Sequence, residues 1–408
     1  MAKKIFPVMA ILFQAFLPWS GLISSQEQKV KGDIRQEVVN ASNRFGLALY
    51  HQVRGEKGNH FFSPLSLSFA LSMALEGARG ETAEEMVRVL CLPRRESERR
   101  EGMARIRDLI NQPGRKSELH LANAIWVQQD FPILQSYLEV IARSYQGRAT
   151  NVDFVGRREE ARKKINDWTA EKTAGKIREL IPPGFLNYLT RLILTNATYF
   201  RGLWLFPFDP KATQPEKFYL PDGQEADVPM MRFLGEKAKF SYAEDEQFQV
   251  LEMLYEGKDL SMVILLPRAK DLASLEANLS LEGLDKWRSR LRERRVDVYL
   301  PRFKLETRYP LKDVLMAIGM ARAFSDRADF SGIDGRQDLF IQAVIHQAFV
   351  EVNEEGTEAA GATGVLIGLT AYIPEKPVVF RADHPFLFFI QEKSSGCILF
   401  MGRLTDPR

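Results

Sequence analysis

Chemistry in this 408-residue chain would have to start from five histidines, His51, His60, His120, His346 and His384, and two cysteines, Cys91 and Cys397. No two histidines stand at the i, i+4 spacing that would present a metal with two ligands from one helix face. The chain has no G-x-S-x-G elbow, no H-E-x-x-H, no C-x-x-C and no phosphate-binding glycine loop. A nucleophilic site could still assemble from distant residues, with Ser63 and His346 as partners, because triads ignore sequence order. The structural alternative is stronger. A serine opening a helix at HFFSP and a histidine within a strand would satisfy one another as buried polar groups, which cost about 1–3 kcal/mol each when left unpaired. No catalytic residue, metal or cofactor is therefore expected.

The most unusual stretch runs from Phe349 to Pro374, FVEVNEEGTEAAGATGVLIGLTAYIP. Phe349, Glu351 and Asn353 alternate with Val350 and Val352, the period of a strand with one buried face. After Glu354, Glu355 and Gly356 the alternation resumes. Thr357, Ala359, Gly361, Thr363, Val365 and Ile367 form a small or apolar set, whereas Glu358, Ala360, Ala362, Gly364 and Leu366 carry the only charge. Such a run can lie in a sheet with Glu358 toward water and nothing charged toward the core. Gly361, Gly364 and Gly368 weaken it as a permanent strand, so a Gly/Ala-rich surface loop is the competing reading.

VNEEGTEAAGAT followed by FRADHPFLFFI resembles the reactive-loop hinge and C-terminal strand of the serpins, and further segments resemble that family in the same order. HFFSPLSLS at 60–68 resembles its shutter, which implies that Ser63 and Ser66 meet Asn196 and His346 beneath the main sheet. LILTNATYFRGLW ends at Trp204, the position the resemblance assigns to the breach, where the loop first enters the sheet. GARGETAEEM, NVDF and INDWTAEKTAGKI add to the match. The resemblance implies an α+β fold of three β-sheets and about nine helices, spanning 36–408 as one domain, with a reactive loop at about 354–377. It also implies a suicide-substrate inhibitor: a serine or cysteine endopeptidase is acylated on the loop, and the loop then inserts into the main sheet and traps it.

Within that expectation the hinge comprises Glu355, Gly356, Thr357, Glu358, Ala359, Ala360, Gly361, Ala362 and Thr363. Gly361 and Gly364 depart from the commoner alanine. Counting fourteen residues from Gly356 places the reactive bond between Thr370 and Ala371, with Leu369 and Tyr372 as alternative recognition residues. No lysine or arginine lies between Gly356 and Glu375. The expected target is therefore elastase-, subtilisin- or chymotrypsin-like, not trypsin-like. A non-inhibitory carrier or binding member of the same family is the alternative.

Composition fits one large domain: 45% of residues are hydrophobic and no linker, repeat or low-complexity tract divides the chain. The net charge of +3 gives no support to nucleic-acid binding. Lys3 and Lys4, the apolar run from Ile5 to Leu17 and small residues at Gly21, Ser24 and Ser25 read as a secretory signal over 1–25, and hence as an exported monomer with no membrane anchor once the signal is removed. The apolar run is interrupted at Pro7, Gln14 and Pro18, short of a membrane span. Cys91 and Cys397 sit in apolar VLCLP and SGCILFMG; they could pair, but free buried thiols are the expected state. WRSRLRERR, at 287–295, interleaves five arginines with Glu293 and follows Asp285, a solvated helix face more than a polyanion site.

Overall fold

The computed structural model describes residues 33–112, 114–235, 238–357 and 376–408. The strand Leu192–Leu203 organises it. Even-numbered Leu192, Leu194 and Phe200 face one apolar cluster, and odd-numbered Ile193, Ala197 and Tyr199 face a second. A strand covered on both faces reads as a nearly continuous apolar run, and LILTNATYF does. The first face rests on the helix Pro64–Gly77, buried along its whole length, with Ser63 as N-cap and Pro64 in the first turn. The second is covered by the helix Arg158–Lys172, whose Trp168 meets Trp126 edge-on at 5.5 Å.

The main sheet runs in the order Phe303–Pro310, Ala343–Val352, Gly356–Thr357, Leu192–Leu203, Glu118–Gln128 and Arg148–Val152. Its two central long strands are parallel and directly paired from Ala343 opposite Ile193 to Phe349 opposite Tyr199. Above that point they diverge, and the two-residue strand Gly356–Thr357 fits between them.

The remaining strands account for the other two sheets expected, joined through one long strand. Arg292–Pro301 pairs with Lys239–Glu244 through Arg292 to Arg295, and with Glu225–Phe233 through Val298 to Pro301. Ten α-helices occur among the described residues, against about nine expected. Residues 34–408 form one compact unit.

Three local readings change. YPLKDVLMAIGMARAF, Tyr309–Phe324, reads in sequence as a helix with a glycine near its end, but the strand Phe303–Pro310 continues into it, the helix is Lys312–Ala317, and Gly319 at φ 107° ends it. WRSRLRERR is not one helix face, because the helix Leu281–Arg290 stops inside it and a strand begins at Arg292. Arg288 turns inward, donating to Gln391 Oε1 and the Gly396 carbonyl, each at 3.0 Å. Both thiols are free as expected, but only Cys397 is buried; Cys91 is exposed, with φ 55° just past the helix Gly80–Val89.

Candidate functional site

Three adjacent strands place three polar residues in one row across the core side of the main sheet. His346 is in register with Asn196, and Asn196 with Asn123. The start of the helix Pro64–Gly77 lies under this row. Asn196 donates to Ser66 Oγ at 2.5 Å and to Asn123 Oδ1, and Ser66 Oγ donates to Asn123 Oδ1 at 3.2 Å. His346 Nδ1 bonds Asn196 Oδ1, and His346 Nε2 accepts from the Ser63 amide at 3.1 Å. Those roles fix the neutral tautomer with the proton on Nδ1. Burial pushes the imidazole pKa down to about 3, so it is uncharged at neutral pH.

Ser63, Ser66, Asn196 and His346 are thus brought together, and the geometry is not that of a nucleophile and base. Ser63 Oγ donates to the Leu399 carbonyl at 2.6 Å and accepts from the Ser66 amide at 3.1 Å. It is the Ser63 backbone that reaches the imidazole. All four side chains are buried. Asn123 was missing from the expected set, although it is the polar interruption in the odd-numbered run Leu119, Leu121, Ile125 and Val127.

The second half of the site lies at the top of the sheet. Trp204 Nε1 donates to the Asn353 carbonyl at 3.0 Å, its amide donates to the Glu355 carbonyl at 2.9 Å, and its indole stacks on Tyr255 at 4.6 Å and 11°. Trp204 therefore holds the turn from Asn353 to Gly356. Gly356 sits opposite Leu203, where a Cβ would fall 2.1 Å from the Gly202 carbonyl oxygen and 2.7 Å from Leu203 Cα. Both contacts are backbone atoms, so only glycine fits. Thr357 follows opposite Gly202, is fully buried, and shares a 2.8 Å hydrogen bond with Tyr255 Oη.

Glu354, the residue before this turn's tip, is also buried. It accepts from Thr213 Oγ1 at 2.7 Å and from Arg302 at 2.5 Å, and its carbonyl accepts from the Phe208 amide at 2.8 Å. Burial alone would raise its pKa, but the bonds from Arg302 and Thr213 outweigh it and hold the carboxyl below its usual value. Sequence reasoning had no signal for Tyr255, Thr213 or Arg302, which come from connections distant in sequence, just outside the strands Phe248–Leu254, Gln214–Tyr219 and Arg292–Pro301. Of the expected hinge, Glu355, Gly356 and Thr357 are placed. Glu358, Ala359, Ala360, Gly361, Ala362 and Thr363 lie outside the described residues, as do Leu369, Thr370, Ala371 and Tyr372 and the signal over 1–25.

The central strands of the main sheet are thus paired below and parted above by Gly356–Thr357, over a buried polar row with a neutral imidazole. The chain belongs to the serpin family: the model described as "Serpin (serine protease inhibitor)" matches residues 40–407. It is 42% identical over 96% of its length to 90% of an uncharacterized serpin-like protein of Thermococcus kodakarensis. It is also 42% identical over 91% of its length to the whole of the leukocyte elastase inhibitor of Bos taurus. Among solved structures, Serpin48 of Tenebrio molitor superposes with a TM-score of 0.81 at 35% identity, covering 91% of this chain and 99% of that one. Human thyroxine-binding globulin, in complex with its ligand, superposes at 0.84 with 29% identity, covering 92% of this chain and all of the other.

Proposed function

We propose that this chain is a suicide-substrate inhibitor of a serine endopeptidase of apolar specificity, acting outside the cell that makes it. The observation that carries this reading is the placement of Thr357: core-facing, fully buried, its hydroxyl satisfied, and inserted between strands that are still paired from Ala343 to Phe349. The odd-numbered set that begins at Thr357 is free of charge through Ile367, so each following residue of that parity can take the same side without burying an ion. The protease serine attacks the carbonyl of residue 370, forms an ester there and expels the amine of residue 371. Zipping of the freed hinge into the sheet then carries the ester away before water can reach it. The loop's lack of lysine and arginine, and the likeness to a leukocyte elastase inhibitor, favour small or apolar pockets on the target. Lys3, Lys4 and the apolar run after them support export.

The test is direct. Incubated with elastase, subtilisin, chymotrypsin and trypsin, the protein is expected to give an SDS-stable band of summed mass with one of the first three and none with trypsin. Mass analysis of the released fragment is expected to place the cut after Thr370. Loop cleavage by every protease without a summed band would instead support a non-inhibitory binding member. The mature N-terminus of exported protein is expected near Gln26.

A further inference from the structure

The chain carries three Asn-x-Ser/Thr tripeptides, Asn40-Ala41-Ser42, Asn196-Ala197-Thr198 and Asn278-Leu279-Ser280. In an exported chain this pattern is the acceptor for an oligosaccharide, a bulky, hydrated group that a folded protein holds only at its surface. The structure separates the three. Asn196 is fully buried in the polar row, with its amide nitrogen bonded to Ser66 and Asn123 and its oxygen to His346. Asn40 is half-buried on the helix Ile34–Val53, where Gln36 Nε2 donates to Asn40 Oδ1 at 3.1 Å and to the Ser395 carbonyl at 2.9 Å. Ser42, the third residue of that pattern, is fully buried against Ser68. A sugar at either asparagine would displace packed chain.

Asn278 differs. It is exposed, just past the helix Ala273–Ala277, and Ser280 is the N-cap of the helix Leu281–Arg290. The residues beside it are fixed inward. Leu275 and Leu279 are buried, the Leu279 carbonyl bonds His51 Nε2 at 3.1 Å, and the Glu276 carbonyl accepts from Arg54 at 2.7 Å. Asn278 Nδ2 donates to the Ser274 carbonyl at 2.8 Å. A side-chain amide nitrogen carries two hydrogens and this bond uses one, so a sugar can replace the other. Ser280 Oγ accepts from the Gly283 amide at 3.1 Å, which closes the turn on its far side.

We infer that Asn278 is a site of N-glycosylation, whose second substrate is a lipid-linked oligosaccharide met as the chain is exported. This rests on the export reading above. Asn278 Nδ2 attacks the anomeric carbon, and a C–N bond forms. The C–O bond to the lipid phosphate breaks, the phosphate leaves with the electron pair, and the amide proton passes to solvent. The groups that hold this turn come from the helix Ile34–Val53 and not from the main sheet, so the sugar is expected to leave trapping of a protease unchanged.

The test is mass analysis of tryptic peptides from the exported protein, isolated from the cells that naturally make it. Trypsin separates the three patterns into peptides 36–44, 192–201 and 271–286. Peptide 271–286 is expected to exceed its sequence mass by an oligosaccharide, and the other two to match theirs. Asn278→Gln is expected to lose the added mass. Should that variant not fold, the Ser280 pair carries the comparison, with the mass kept in Ser280→Thr and lost in Ser280→Ala. An unmodified 271–286 in protein that begins near Gln26 overturns the site and leaves export intact. A sugar on 36–44 or 192–201 of the folded protein overturns the selection by burial on which the site rests. Protein that retains residues 1–25 removes the export reading and this site with it.

Discussion

Tyr255 Oη and Thr357 Oγ1 lie 2.8 Å apart, joining the indole-stacked floor of the sheet to the first side chain of the hinge. Both groups are buried, so neither can turn to water for a substitute partner. Tyr255→Phe and Thr357→Val should each lower stability, and their double-mutant cycle should return a coupling of about 0.5–1.5 kcal/mol, the net worth of one buried hydrogen bond. Urea unfolding of the four proteins measures it. A coupling near zero would mean that the hinge does not occupy this position in solution.

Gly356→Ala tests the same placement sterically. The added Cβ would fall 2.1 Å from a backbone oxygen of the central strand, and that strand is held on its other side by Glu118–Gln128. The hinge has to leave the sheet. Expulsion would break the bonds from Trp204 to the Asn353 and Glu355 carbonyls, so the fluorescence of the indole should change, and the change should vanish in a Trp204→Phe background. An unaltered spectrum with wild-type stability would contradict the position of Gly356.

Much of the site was legible because its signals are local. The parity of the run after Gly356 announced which side Thr357 would face, and HFFSP announced a capped, buried helix start at Ser63. What could not be read is whatever depends on two distant strands meeting in register. Asn123 completes the polar row only because the strand Glu118–Gln128 pairs with Asn196 at that residue. Likewise, Arg302 and Thr213 reach Glu354 from connections between strands, whose approach no local period encodes. The helix expected over Tyr309–Phe324 failed for a related reason, since pairing of Tyr309 with His346 extends the strand past the point where helical spacing begins.

His346 gives the fold a pH dependence of definite sign. Its folded pKa is lowered from 6.5 to about 3, so between those values the unfolded chain binds a proton that the folded one refuses. Its contribution is complete above about pH 6.5 and is lost as pH falls toward 3. From pH 7 to pH 5 that amounts to about 2 kcal/mol. Glu354, whose pKa is also lowered, acts only in more acid solution, below its unfolded value of 4.5. His60 is depressed as well and shares the first window. His346→Gln should therefore be less stable at pH 7 yet lose less between pH 7 and pH 5 than wild type. Equal losses would show that His346 is not a buried neutral imidazole.

Gln342 fastens the lower end of the two central strands. Its Oε1 accepts from the Arg191 and Leu192 amides, its Nε2 donates to the Leu189 carbonyl, and its own amide donates to the Leu192 carbonyl at 3.1 Å. A strand inserted to full length has to displace these side-chain bonds. Gln342→Ala should lower resting stability by about 1–3 kcal/mol, the cost of leaving such groups unpaired. It should also speed spontaneous insertion, read as faster appearance of a heat-stable or polymeric form on mild warming. Slower conversion would show that Gln342 serves the inserted state instead.

Thr357→Arg addresses the inhibitory mechanism itself. The site is fully buried beside the Tyr255 phenol, with no carboxylate among the described residues in hydrogen-bond contact with Thr357. A guanidinium placed there would be a buried cation without a partner, at a cost of several kcal/mol, so the side chain is expected to stay in water and keep the hinge out of the sheet. Insertion would then lose its race with deacylation. The variant should be cut by the target protease at a near-normal rate but be turned over as a substrate, with many molecules consumed for each protease trapped. Glu358→Arg is the matched change at the opposite parity, already charged and expected to face solvent, and it should keep most of the inhibition. Equal loss in the two variants would mean that the strand does not continue in the register that Gly356 and Thr357 begin.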